Sequence, residues 1–264
     1  MTTVDVVQPR VSPVVAVRNT LTLAWRTLVS IKHNPFELLD FSVQPIMFLV
    51  LFTYVFGGAI SGSTSHYLAF GLPGIIVQNM LFATLNTGVG LNTDISKGVF
   101  DRLRSLPISR WSPLSGRIVA DLVKQAWAIT LLLVVGTILG FRIATGPGEV
   151  LITYGLLLVF GFAASWLSVL VAMLVNEPEK VQIFGFVLLF PLTFASNAFA
   201  PTATMPGWLQ AWVKVNPVSI LADAVRALLG GGATGTPVTQ SLVWAAILLV
   251  VFAPLSVWAF RRRV

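Results

Sequence analysis

The chain has 264 residues, 56 % of them hydrophobic and only 10 % charged, with a mean hydropathy of +0.85 and a net charge of +7. Soluble proteins carry about 25 % charged residues, so there is too little polar surface here to coat a water-soluble globule. The absence of cysteine excludes thiol catalysis, thiolate metal sites and disulfides. His33 and His66 are too far apart in sequence to suggest a histidine metal cluster, and the basic residues are scattered between apolar blocks instead of forming a nucleic-acid-binding patch.

Residues 1–12 are polar and read as a mobile tail, with Pro13 placed to start a helix. From there Val14, Val17, Leu21, Ala24, Leu28 and Ile31 recur at spacings of three and four while Arg18, Arg26 and Lys32 fall off that stripe. This pattern predicts an amphipathic helix lying along a membrane surface. Six nearly charge-free blocks follow, at 41–60, 67–92, 122–141, 150–175, 181–199 and 239–260, each close to the roughly 20 residues that cross a bilayer as an α-helix. The domain organisation expected is therefore a tail and interfacial helix over 1–40, a six-span bundle over 41–260 and a basic end over 261–264. Of the 17 basic residues, 14 fall at the termini and on the connections after spans two and four, counting Lys124 at the boundary of the third span; only Arg142, Lys214 and Arg226 lie on the other side. By the excess of Lys and Arg on cytoplasmic segments, both termini face the cytoplasm.

Two connections are long. The cytoplasmic one, 93–121, is broken by Gly98, Pro107, Pro113 and Gly116, with Ser112 ahead of Pro113 as a helix start. In the external one, 200–238, Trp208, Leu209, Trp212 and Val213 share helical spacing. Asn216-Pro217 can cap and begin a second short helix that stops at the glycines 230–232. Both pieces are too short to span and are expected to dip into the outer edge of the membrane.

Within the spans, polar residues are costly against lipid and so point to function or packing. Asn79, Ala83, Asn86, Gly90 and Asp94 share one face of the second span, either as a packing surface of small residues and amides or as the wall of a translocation route. In the fourth span Gly161, Ser165, Ser168 and Ala172 form a purer packing face. The fifth span carries Pro191, marking a kink or break, with Phe184, Phe186, Phe190, Phe194 and Phe199, an aromatic surface suited to a lipid-like or polycyclic substrate or simply to lipid. Asp94, Asp101 and Asp121 are too far apart to read as a motif, no phosphate-binding G-x-x-x-x-G-K-[ST] loop is present, and ionised residues are missing from the middle of every predicted span. An ion-driven carrier usually needs such a residue, so energy must enter from elsewhere.

Three stretches carry a specific resemblance: NPFELLDFSVQPIMFLVLFTYVFGG at the first span, FDRLRSLPISRWSPLSGRIVAD in the cytoplasmic loop, and the external FAPTATMPGWLQAWVKVNPVSILADAVRALLGG. With the six-span layout they make the chain similar to the type-2 ABC exporter permeases, in particular the daunorubicin-resistance-type multidrug permeases of actinobacteria. The resemblance implies an all-α integral membrane permease moving hydrophobic drugs or lipid-like compounds outward, in the plasma membrane. It also implies a second permease subunit, the same chain or a homologue, and two cytoplasmic ATPase subunits. ATP and Mg belong to those subunits, and this chain needs no cofactor, holds no metal and is not itself an enzyme. A coupling helix maps to about Phe100–Arg110, where Leu106, Pro107 and Ile108 supply a rigid knob and Asp101, Arg102, Arg104 and Arg110 set its docking register. The family's path between permease subunits, lined by spans two and five, implies path roles for Asn79, Asn86, Phe190 and Phe194. External gate helices at 206–229 carry Trp208, Trp212, Asn216 and Pro217. Alternatives are export of an endogenous lipid, glycolipid or polysaccharide by the same machinery, a membrane-embedded lipid-modifying enzyme, and a scaffolding subunit.

Overall fold

A computed structural model of the chain describes residues 12–33, 35–99 and 112–263. In chain order it comprises α1 (Pro13–His33), α2 (Pro35–Leu51), a π-helical turn (Phe52–Phe56), α3 (Gly57–Ser61), α4 (Thr64–Ser96), α5 (Ser112–Ile138), α6 (Pro147–Leu174), α7 (Pro178–Phe194), a 3-10 turn (Thr202–Thr204), α8 (Gly207–Val215), α9 (Pro217–Gly230) and α10 (Gly235–Arg263). No strand occurs among the described residues. Five stretches there are long and apolar enough to cross a membrane: Ser42–Ile60, Thr64–Ser96, Leu114–Ile138, Pro147–Leu174 and Gly235–Phe260.

The block expected at 181–199 is a helix only from Pro178 to Phe194. Its 17 residues rise about 26 Å, short of the roughly 30 Å hydrocarbon core. Pro191 sits inside its last turn without breaking it earlier, and an irregular segment over 195–200 follows. The third block is displaced. Its helix runs from Ser112, where the Ser-Pro pair predicts a start, to Ile138, so Arg117, Asp121 and Lys124 belong to this helix and not to the 93–121 connection.

α4 is the axis of the bundle: 78 % of its apolar window is buried, against 17 % for α10. Small residues let it approach α6. A Cβ on Gly88 would lie 2.6 Å from the Ser168 carbonyl, and the hydroxyls of Thr84 and Ser168 meet at 3.0 Å. Gly161, Ser165, Ser168 and Ala172 are all buried, so the face expected to pack does pack. The Asn92 amide donates to the carbonyls of Ala172 (2.9 Å) and Val175 (2.7 Å) at the C-terminus of α6, where Arg263 Nη1 also donates to the Ala172 carbonyl.

α1 lies against α5 through Thr20, Leu23 and Ala24, which close over Gly116, and the Thr20 and Ser115 hydroxyls meet at 3.0 Å. Of the apolar stripe, Ala24 is buried in this contact, whereas Val14, Val17 and Leu21 are exposed. The C-terminus of α4, the N-terminus of α5 and the C-termini of α6 and α10 share one end of the bundle, and α8 and α9 occupy the other.

Candidate functional site

α2, α4 and α7 enclose a cleft of about 130 Å³ lined by Gln44, Pro45, Phe48, Ile75, Gln78, Asn79, Phe82, Phe186, Phe190 and Phe194. Its aromatic walls follow from phenylalanines spaced four apart, Phe186, Phe190 and Phe194 on α7 and Phe48, Phe52 and Phe56 along α2 and the π-helical turn. That spacing stacks side chains on one helix face. Centroids are 5.1 Å apart for Phe186 and Phe190 and 4.3 Å for Phe190 and Phe194; Phe82 of α4 meets Phe186 at 5.6 Å. Three amides, Gln44, Gln78 and Asn79, face this aromatic surface and make no hydrogen bond among the described residues. Among the described residues, no ionisable side chain lines the cleft. The arrangement can stack a planar apolar body and offer several donors and acceptors to its polar substituents.

At the end carrying α8 and α9, Arg226 of α9 uses all five guanidinium N–H groups. Nε donates to the Phe70 carbonyl (3.0 Å), Nη1 to Asp223 Oδ1 (2.9 Å) and Asn197 Oδ1 (3.3 Å), and Nη2 to the carbonyls of Asn197 (2.7 Å) and Ala198 (3.2 Å). The guanidinium also lies 3.9 Å from the centre of the Phe70 ring. Asn197 in turn donates its amide to both Asp223 oxygens at 2.9 and 3.0 Å. Burial pushes the Arg226 pKa below its ordinary value, and the charge and hydrogen bond of Asp223 oppose that shift.

At the other end, Arg117 of α5 stands 3.4 Å from Asp94 of α4 and 3.4 Å from Asp121, and Lys124 reaches Asp121 at 3.3 Å. A Cβ on Gly90 would collide with the Arg117 guanidinium, so this glycine makes room for the charge. Asp121 and Lys124 are buried. Two carboxylates too distant in sequence to read as a motif are thus gathered on one arginine. Nearby, both polar atoms of the Gln125 side chain are buried without a hydrogen-bond partner. No group of three or more potential metal ligands occurs among the described residues.

Of the residues singled out in the sequence, Asn79, Phe190 and Phe194 meet in the cleft, whereas Asn86, seven residues along α4, is exposed and does not line it. Trp208 and Trp212 are exposed on α8. Asn216 is buried and caps α9: its Oδ1 accepts from the Val218 N–H at 2.8 Å, and its amide donates to the carbonyls of Leu192 (2.8 Å) and Ala195 (3.1 Å). Pro217 is buried at the first position of that helix. Asp101, Arg102, Arg104, Leu106, Pro107, Ile108 and Arg110 lie outside the described residues, as does the tail before residue 12. Sequence reasoning missed Gln44, Gln78, Phe48, Arg226 and its partners. The four-residue phenylalanine spacing in the first block was the signal available for the second wall.

An all-helical bundle with five helices of spanning length, wrapped around a polar-lined aromatic cleft, is an integral membrane protein. Comparison with known families makes the class specific: the chain belongs to the ABC-2 type transporter family, whose model matches residues 18–229. It is 42 % identical over 248 residues to a daunorubicin resistance ABC transporter permease protein of Streptomyces coeruleorubidus, covering 94 % of this chain and 88 % of that one. It is 29 % identical over 222 residues to a probable doxorubicin resistance ABC transporter permease protein of Mycobacterium tuberculosis (83 % and 80 %). A probable multidrug ABC transporter permease of Escherichia coli is 24 % identical over 196 residues (72 % and 52 %). As a permease of this family the chain is a transport subunit and not itself an enzyme; it works with ATPase subunits, to which ATP hydrolysis belongs.

Proposed function

We propose that this permease exports hydrophobic, drug-like compounds and that the cleft between α2, α4 and α7 is part of their path. The observation that carries the reading is the cleft's chemistry: three amides with unused hydrogen-bonding capacity set among stacked phenylalanines, with no charge, in a chain similar to permeases named for anthracycline resistance. An amide buried in a membrane protein normally finds a partner. Gln78 is buried without one among the described residues, and with half-buried Asn79 and exposed Gln44 beside it the cleft can offer these groups to a ligand.

In this reading the chain crosses the membrane six times, with α7 as the fifth span, in the plasma membrane. Both termini are cytoplasmic, supported by the distribution of Lys and Arg. The exposed stripe of Val14, Val17 and Leu21 supports an interfacial position for α1. Exposed Trp208 and Trp212 support one for α8 at the outer edge, as half of a pair of external gate helices with α9. Two ATPase subunits carrying ATP and Mg drive the cycle with a second permease subunit completing the path. Their force enters through Asp101, Arg102, Arg104 and Arg110 around the Leu106-Pro107-Ile108 knob.

The test is efflux of a planar aromatic drug from cells making the chain with its ATPase partner. Asn79→Leu and Phe190→Ala should each lower efflux several-fold at unchanged membrane abundance. Unchanged efflux in both would overturn the reading. A fall in abundance alone would assign these residues to packing.

A further inference from the structure

The cleft has a roof. Its walls end in Phe48 on α2 and Phe194 on α7, and two further rings bridge them: Phe52 stacks on Phe48 at 5.6 Å, Phe199 on Phe52 at 4.8 Å, and Phe194 on Phe199 at 4.9 Å. These four rings form an arch over the end of the cleft nearest α8 and α9. Phe199 is its middle stone and is buried. It belongs to the irregular 195–200 segment, which is not itself helical.

What holds that segment is α9. Arg226 Nη2 grips the carbonyls of Asn197 and Ala198, the two residues before Phe199. Its Nη1 and Asp223 hold the Asn197 side chain, and the Asn197 N–H donates to Ser219 Oγ at 3.2 Å. Through Nε on the Phe70 carbonyl the same guanidinium ties the segment to α4. There the Ala198 backbone rests directly on Gly74, where any Cβ would collide with it. A planar fork with five donors can span these acceptors; a point-charge ammonium cannot.

We propose that Arg226 is a positioning residue that latches Phe199 into this arch, and that a ligand leaves the cleft at this end only when α9 and the 195–200 segment swing away together. The inference rests on the cleft being part of the path. Nothing in the arch itself need touch the ATPase or distinguish one drug from another.

The native chain has no cysteine, so a single one reports cleanly. Ile75→Cys places a thiol on the cleft wall beneath the arch, at a buried position; Leu157→Cys places one at an equally buried position in the main core. Membrane vesicles holding the full chain with its ATPase partner are treated, on each face in turn, with a charged, membrane-impermeant maleimide. In an otherwise native background both thiols should react slowly. Arg226→Gln and Phe199→Ala should each speed labelling at Ile75→Cys by about ten-fold or more from the face carrying α8 and α9, since a lost charged hydrogen-bond cluster or keystone opens the closed state. Labelling at Leu157→Cys should not change. Arg226→Lys should behave like Arg226→Gln.

The proposal is overturned if Ile75→Cys labels at the native rate in both variants, or if Leu157→Cys accelerates equally, which would mean general loosening. Should Arg226→Gln fail to insert, Phe199→Ala and Asp223→Asn decide it. Labelling needs no drug, so a chain that exports none yet shows this pattern keeps its latch and loses only the drug-export reading.

Discussion

The two ends of the bundle both use an arginine paired with carboxylate, one with Asp223 and backbone carbonyls, the other with Asp94 and Asp121. At the α8 and α9 end every guanidinium N–H of Arg226 has an acceptor, and the shortest bonds are 2.7 and 2.9 Å. At the other end the ion pairs of Arg117 and Lys124 stand at 3.3 to 3.4 Å, longer than the 2.7–2.9 Å of well-made charged hydrogen bonds. Buried polar atoms without a partner occur toward both ends, the Tyr67 hydroxyl in the electrostatic reach of Arg226 and Asn92 Oδ1 on α4, with the Gln125 amide against Gly161 between them. A fully satisfied network favours one arrangement, whereas loose pairs can exchange partners at small cost. The end that closes the cleft therefore favours one closed arrangement that must break as a unit to open, whereas the described ion pairs at the other end are individually weaker.

The largest expected effect comes from breaking the looser end. Arg117→Leu removes the cation shared by Asp94 and Asp121, and Asp121 is buried. Removing one member of a buried charge network typically costs about 3–5 kcal/mol; Asp94 is partly exposed and Lys124 remains, which places the expected loss near about 3 kcal/mol. The measurement is the unfolding midpoint of the purified, detergent-solubilised chain. A midpoint within error of the native one would show that this cluster contributes little to holding α4 and α5 together.

A smaller effect is expected halfway along, where neither end dominates. Thr84→Val keeps the shape of the side chain but removes the hydroxyl that meets Ser168 at 3.0 Å between α4 and α6. Hydrogen bonds between helices in membranes contribute about 0.6 kcal/mol on average, so the destabilisation should be about 1 kcal/mol or less in the same assay. Combined with Arg117→Leu it should add, because the two sites share no partner. Strong non-additivity would show that the charge cluster reaches into the middle of the bundle.

Much of this architecture was legible because it depends on local chemistry. Asn216-Pro217 predicts the start of α9 and the glycines at 230–232 its end; Gly231 does terminate it, at φ 82°, a conformation that favours glycine. The Gly161 to Ala172 face needed only helical spacing. The charge networks were not legible because their members are remote: Arg226 reaches Phe70 across 156 positions and Asn197 across 29, and Arg117 reaches Asp94 across 23. Spacing alone also misjudged Asn86. It shares a helical face with Asn79, but about 10 Å further along α4 the face has left the cleft, and a face is only as informative as the neighbours that cover it at each level. Likewise α7 is shorter than its hydropathy block, because the apolar residues after Phe194 continue as the arch segment instead of as helix.

The smallest expected effect on stability belongs to the cleft between the two ends, and it should be paired with a clear effect on transport. Gln78 is almost fully buried yet makes no hydrogen bond among the described residues. Replacing it by Leu removes an uncompensated polar group from an apolar lining, so Gln78→Leu should leave the unfolding midpoint unchanged or raise it, by about 1 kcal/mol at most. Were the amide there only to pack, the transported compounds would be unaffected as well. If it serves a ligand, efflux of drugs carrying carbonyl and hydroxyl groups should fall relative to that of plain aromatic hydrocarbons, because only the former lose a partner. A stability loss of the size expected for Thr84→Val, with no change in that ratio, would place Gln78 among the structural residues and leave the cleft recognising shape alone.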